Sequence, residues 1–133
     1  MLHHLSFGVT DIQRSAIFYD AVLTPLGYIR VWEDFEGDDA AVGYGIEGGG
    51  DKFAIKLCTH VAIGQGFHLA FSATNRAAVD AFYSAAIANG GTDNGPAGLR
   101  PDYGEHYYAA FVIDPDGYRI EAVINTPLES SFN

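Results

Sequence analysis

Three side chains able to hold a metal ion occupy matching places in a chain that repeats itself. His4 opens the run His4-Leu5-x-Phe7-x-x-Thr10, and His68 opens His68-Leu69-x-Phe71-x-x-Thr74. The same offset of 64 lays Phe18-Tyr19 on Phe82-Tyr83, Ala21 on Ala85 and Gly27 on Gly91. Those eight identities between residues 4 and 27 need no gap, which makes an internal duplication the reading to build on. A shift of 65 then aligns Asp51-x-Phe53-x-Ile55-Lys56 with Asp116-x-Tyr118-x-Ile120-Glu121. His4, His68 and Glu121 therefore stand at repeat-related strand positions. Two neutral imidazoles and one carboxylate suit Fe, Mn, Co, Ni or Zn. Three ligands leave open positions on a six-coordinate ion, the condition for catalysis rather than a purely structural role. His3 competes with His4, but strand parity sends it to the opposite, apolar side. Glu121 has a structural alternative in an ion pair with Arg14, Arg30 or Lys56.

These residues need strands to aim them. His3 to Val9 alternates: Leu5, Phe7 and Val9 face one way, His4, Ser6 and Gly8 the other. Thr10 offers an N-cap with Asp11 in the first turn, and Ile12, Ala16, Tyr19 and Leu23 recur at helical spacing until Pro25 and Gly27. Strands are expected near 28–33, 40–46 and 52–58, separated by acidic and Gly-rich stretches. The second half repeats the plan with a strand at 67–73, a cap at Thr74, a helix over 75–89 and strands near 106–114 and 117–124. Its small first strand falls in the Gly-, Pro- and Asp-rich stretch 91–104, and Asp114-Pro115-Asp116-Gly117 supplies the last turn. The order βαβββ, twice, predicts an α+β fold of two modules, 1–60 and 65–125, in a single domain with a short C-terminal tail. Apolar faces should pack under the helices. The opposite faces, carrying His4, Ser6, Ala54, Lys56, His68, Ser72, Arg119 and Glu121, should line a cup.

Composition limits the partners. A chain of 133 residues with 48% apolar and 18% charged residues is globular and of single-domain size. No apolar run reaches the roughly 20 residues of a membrane span. The start lacks the basic and apolar regions of a signal peptide, and the single cysteine, Cys58, forms no internal disulfide; a cytoplasmic protein is expected. A net charge of −10 disfavours nucleic acid and anionic membranes as partners.

The stretch His4-Leu-Ser-Phe-Gly-Val-Thr-Asp-Ile-Gln-Arg-Ser-Ala-Ile-Phe-Tyr19 resembles the opening of the vicinal oxygen chelate superfamily. That group takes in glyoxalase I, bleomycin-resistance proteins, fosfomycin-resistance transferases and extradiol dioxygenases. Phe67-His-Leu-Ala-Phe71 is similar to its second-module start, and Tyr107-Tyr-Ala-Ala-Phe-Val-Ile-Asp-Pro-Asp-Gly-Tyr-Arg-Ile-Glu-Ala-Val123 to its closing hairpin. The resemblance implies paired βαβββ modules forming a cupped, curved mixed sheet. It implies one divalent metal ion on His4, His68 and Glu121, and a small-molecule substrate. It also implies a homodimer with the site at or near the subunit interface, where His4 meets His68 and Glu121 of the other chain.

One position departs from the glyoxalase I pattern. The repeat puts Lys56 where that enzyme has a fourth, glutamate ligand. A protonated lysine repels a cation; beside an oxyanion it would stabilise negative charge or, if desolvated, act as a base. Pairing with a carboxylate at the rim is the structural alternative. Tyr108, read as facing the cup, is a second candidate catalytic residue, able to donate to a substrate oxygen; a buried, satisfied hydroxyl is its structural alternative. Tyr103, Glu105 and His106 form a polar segment that could serve as a gate. The function expected first is a metal-dependent, glyoxalase-like lyase or isomerase acting on a small oxygen-chelating molecule. Extradiol-type dioxygenation is an alternative, with His60 or His106 as the second-sphere imidazole it requires. Fosfomycin-type thiol transfer is disfavoured because Ala122 to Asn133 contains no basic residue. A metal-free ligand-binding protein of the bleomycin-resistance type is the alternative from a different class.

Overall fold

The alternating stretch Leu5–Val9 forms β1, and the computed structural model describes residues 1–128. Helix α1 (Ile12–Leu23) follows, then one 3-10 turn (Thr24–Leu26), β2 (Ile29–Asp34), β3 (Ala41–Gly45) and β4 (Phe53–Leu57). Module two contains β5 (Leu69–Ser72), α2 (Arg76–Ala88), two short strands β6 (Thr92–Asp93) and β7 (Gly98–Leu99), then β8 (Tyr107–Ile113) and β9 (Arg119–Asn125). The expected βαβββ order holds in both halves, the stretch 91–104 contributing two short strands instead of one. The C-terminal tail beyond residue 128 lies outside the described residues. No described helix is long and apolar enough to cross a membrane.

The strands form two mixed sheets, one from each module. One has the order β1-β4-β3-β2, the other β5-β9-β8-β6 with β7 also on β8. In each, the first strand pairs in parallel with the last: Gly8 opposite Lys56, and Ala70 opposite Glu121. The alternation sorts side chains as expected. Phe53, Ile55, Phe71 and Ile120 are buried on the helix-covered faces, where α1 and α2 also pack on each other. A shared aromatic core joins the modules: Phe53 meets Phe71 edge-on at 5.3 Å, and Phe7 stacks on Tyr118 at 3.8 Å.

Both helices start one residue later than their hydroxyls suggested. The N-caps are Asp11, accepting from the Arg14 amide at 3.0 Å, and Asn75, accepting from the Ala78 amide at 2.8 Å. A carboxylate or amide oxygen caps better than threonine in this role. Thr10 is taken up elsewhere: its hydroxyl donates to Asp116 at 2.6 Å, where Arg14 (3.1 Å) and Ser15 (3.3 Å) also converge. Asp116 is 3% exposed at its side chain, so these donors replace the water it loses. The closing hairpin of module two is thereby fastened to the first turn of α1, a contact far apart in sequence.

Candidate metal and substrate site

Glu121 sits in the middle of β9, its side chain only 4% exposed, on the face that α2 does not cover. Strand pairing places Ala70 beside it on β5 and Phe111 on β8. The small Ala70 leaves room for His68, which precedes β5 on the same face; its Nε2 meets the Glu121 Oε1 in a hydrogen bond. The Tyr107 hydroxyl donates to the other carboxylate oxygen, Oε2, at 2.6 Å. Burial and the neighbouring Glu121 carboxylate push the Tyr107 phenol up to about 12, so it remains a proton donor through the neutral range. The carboxylate is therefore fixed in plane by two partners. The His68 side chain, 41% exposed, opens into a concavity of about 470 Å³. Asn94, Gly95, Arg100, Asp102, Tyr103 and Phe111 are among the residues that line it with His68.

Tyr108 is not part of this surface. Its hydroxyl donates to Asp80 of α2 at 2.6 Å, and Arg76 lies over its ring at 5.0 Å. The expected cup-side placement fails by one residue, and the turn explains why. A two-residue turn at Pro115-Asp116 would pair even-numbered β8 residues with odd-numbered β9 residues. Here the first strand pair after the turn is Ile113 with Arg119, so odd residues face odd and Tyr107 shares the face of Glu121. A one-residue change of register exchanges the two faces of a strand. Tyr107 and Phe111 are the residues here that strand parity, with the correct turn length, would have identified; Arg100, in the loop after β7, carries no such signal.

The remaining candidates lie on module one. His4 falls just before β1, because the ladder begins at the Leu5 amide bonded to Lys52 O. Its Nδ1 meets His3 Nδ1 at 2.8 Å, in a separate concavity that also includes Tyr28, Lys52, Ala70 and Ser72. Lys56 lies on the β4 face opposite Phe53 and Ile55, flanked by the small Gly8 and Ala41, and stands exposed in a cleft with Asp38 and Asp39. One chain thus assembles His68 with Glu121 but brings neither His4 nor Lys56 to them. Among the described residues, no group of three His, Cys, Asp or Glu side chains is close enough to hold an ion. His60 contacts Thr59 and His106 contacts Glu105; neither lines the His68 concavity.

The donor chemistry still fits a divalent cation. A buried carboxylate held by a phenol, in contact with the nitrogen of a half-exposed imidazole, offers two donors of the kind such an ion takes. Comparison with known proteins agrees on the architecture. No curated protein sequence matches the chain. A crystal structure of a glyoxalase/bleomycin resistance protein from Albidiferax ferrireducens is 34% identical, with a TM-score of 0.74, over 93% of this chain and 97% of that one. A glyoxalase I variant from Zea mays shares the fold at 22% identity and TM-score 0.69, over 90% of this chain and 44% of the maize chain. The fosfomycin resistance protein FosX from Listeria monocytogenes does so at 17% and 0.69, over 95% and 93%. The family model for the glyoxalase/bleomycin resistance protein/dioxygenase superfamily matches residues 1–122, the whole span from the first histidine to the closing glutamate, and the chain belongs to that superfamily.

Proposed function

We propose that the protein is a divalent-metal-dependent enzyme, a glyoxalase-like lyase or isomerase acting on a small molecule that chelates through adjacent oxygens. The buried Glu121 carboxylate, oriented by Tyr107 and bonded to His68, whose ring lines an open concavity, carries this reading. The third ligand in the proposal is the partner subunit's His4, across a C2 homodimer. The helices cover only one face of each sheet, and β1 and β5 are edge strands, so a symmetric partner can complete the cup. A divalent ion in this position supplies Lewis acidity to the substrate's oxygens. Tyr107 holds its proton on the Glu121 side, which keeps the carboxylate in one orientation. Phe111 and Tyr103 present ring surface that excludes water from one wall. The test is reconstitution of metal-free protein, purified without a histidine tag, with Mn, Fe, Co, Ni and Zn. About one tightly bound ion per chain is expected for at least one metal; no retention of any of the five would sink the proposal.

Lys56 is assigned in the same proposal to the rim of the completed cup, where its ammonium stabilises an anionic intermediate. Replacing Lys56 by Met should leave metal affinity unchanged and slow turnover of a chelating substrate about tenfold, below the scale for a donor in a water-excluded site. Lys56→Glu should tighten metal binding by adding a fourth ligand. Unchanged turnover in the first variant together with unchanged affinity in the second would remove Lys56 from the site.

A second reading, metal-free sequestration of a cationic ligand, draws on one observation. The Trp32 indole lies across Gly43, where a Cβ would overlap it, and is exposed; Glu33, Asp34, Glu36, Asp38 and Asp39 follow it in sequence. An exposed aromatic ring in an acidic stretch of chain suits a flat cation. The metal reconstitution separates the two readings.

A further inference from the structure

The His68 concavity contains a cation, Arg100, that no carboxylate among the described residues neutralises. Arg100 projects into it from the loop after β7, and its Cζ lies 5.3 Å from the centre of the Phe111 ring. The His68 ring centre is 5.9 Å from that same ring. Phe111 is the cross-strand partner of Glu121, so Arg100, Phe111 and His68 line one concavity beside the buried Glu121. Two glycines make room for the guanidinium: a Cβ at Gly95 would fall 3.2 Å from Nη2, and one at Gly98 would fall 3.2 Å from Nη1. The Pro96 carbonyl accepts from Nη2 at 2.5 Å and the Leu99 carbonyl from Nη1 at 3.4 Å. A guanidinium has five N–H donors, so most of its donor edge remains to be used. Asp102 lines the same concavity, yet no carboxylate among the described residues lies within ion-pair distance of Arg100. Glu121 is committed to His68 and Tyr107.

We propose that Arg100 is the specificity-determining residue of the site and receives the carboxylate of a substrate whose flat, apolar body lies along Phe111 and Tyr103. The inference rests on the reading of this concavity as the substrate site, and it names the substrate class that reading left open: small carboxylic acids. The guanidinium beside the Phe111 ring keeps N–H donors free, and its planar fork is the geometry that two carboxylate oxygens match. The wider field works against anions, since the chain carries a net charge of −10. Selection of an acid therefore has to be local. Arg119 shares the cup face of β9 but does not line this concavity, so it serves as the control.

The experiment is a ¹⁹F NMR titration of the full-length, metal-free protein with 4-fluorobenzoate and with the neutral 4-fluorobenzamide. Wild type should bind the benzoate at least tenfold more tightly. Arg100→Gln should abolish that preference by weakening the benzoate roughly tenfold, the usual worth of a charge-assisted hydrogen bond, with the benzamide unaffected. Arg100→Lys should keep the charge and lose the planar fork, giving an intermediate preference; this variant decides the matter if Arg100→Gln does not fold. Arg119→Gln should behave as wild type. The proposal is overturned by absence of a benzoate preference in wild type, by its survival in Arg100→Gln, or by an equal loss in Arg119→Gln, which would indicate diffuse attraction. Retention of Mn, Fe, Co, Ni and Zn measured on the same protein separates this inference from the metal reading. Retention of none of the five with the preference intact would remove the metal and leave the acid subsite standing; metal retention without the preference would do the reverse.

Discussion

A mixture of His4→Ala and Glu121→Ala chains is expected to recover metal sites that neither variant forms alone. In each homodimer both sites lack one ligand. In the heterodimer one site lacks two, but the other combines an intact His4 with an intact His68 and Glu121. Random exchange of equal amounts should restore about a quarter of all sites, because half the dimers are mixed and each contributes one good site of two. The separation of His4 from the His68–Glu121 pair within one chain motivates the test. Metal content of the mixture after subunit exchange, against each variant alone, gives the answer. No gain on mixing would mean that each site is built within a single chain, or that His4 is not a ligand. Sedimentation at tens of micromolar should show a dimer; a strict monomer would refute the shared site directly.

The second large effect is expected at His68. Changing it to Ala removes a proposed metal ligand and should weaken divalent-metal binding by more than about a hundredfold, since even groups that only support a ligand are commonly worth ten- to a hundredfold. Tyr107→Phe removes such a support. It deletes the donor to Glu121 Oε2 while keeping the ring, so a loss of about tenfold is expected. Competition with a chelator of known affinity measures both. Equal affinities in wild type and His68→Ala would show that the ion binds elsewhere. A Tyr107→Phe loss as large as that of His68→Ala would mean that the phenol is a ligand rather than a support.

Some of this was legible in the residues alone because it depends on short-range periodicity. The repeat of His4-Leu5-x-Phe7 at His68-Leu69-x-Phe71 announces two modules, since a duplicated unit keeps its pattern of buried positions. Alternation separates Phe53 and Ile55 from Ala54 and Lys56 without any knowledge of the partner strand. Helix α1 could be bounded at Ile12 and Leu23 because its apolar spacing and the following Pro25 act locally.

The features that needed the three-dimensional fold each turn on a contact between distant residues. Tyr107 rather than Tyr108 faces Glu121 because the turn closes Ile113 against Arg119, and turn length is a property of the closed hairpin. Thr10 is drawn from capping α1 to bonding Asp116, 106 positions away, which no local propensity encodes. Arg100 gains its place from two glycines and from a ring on the neighbouring strand. His4 and His68 are equivalent in sequence yet lie in different concavities of one chain. A repeat specifies what each module looks like, whereas the packing of α1 on α2 sets where the modules' open faces point.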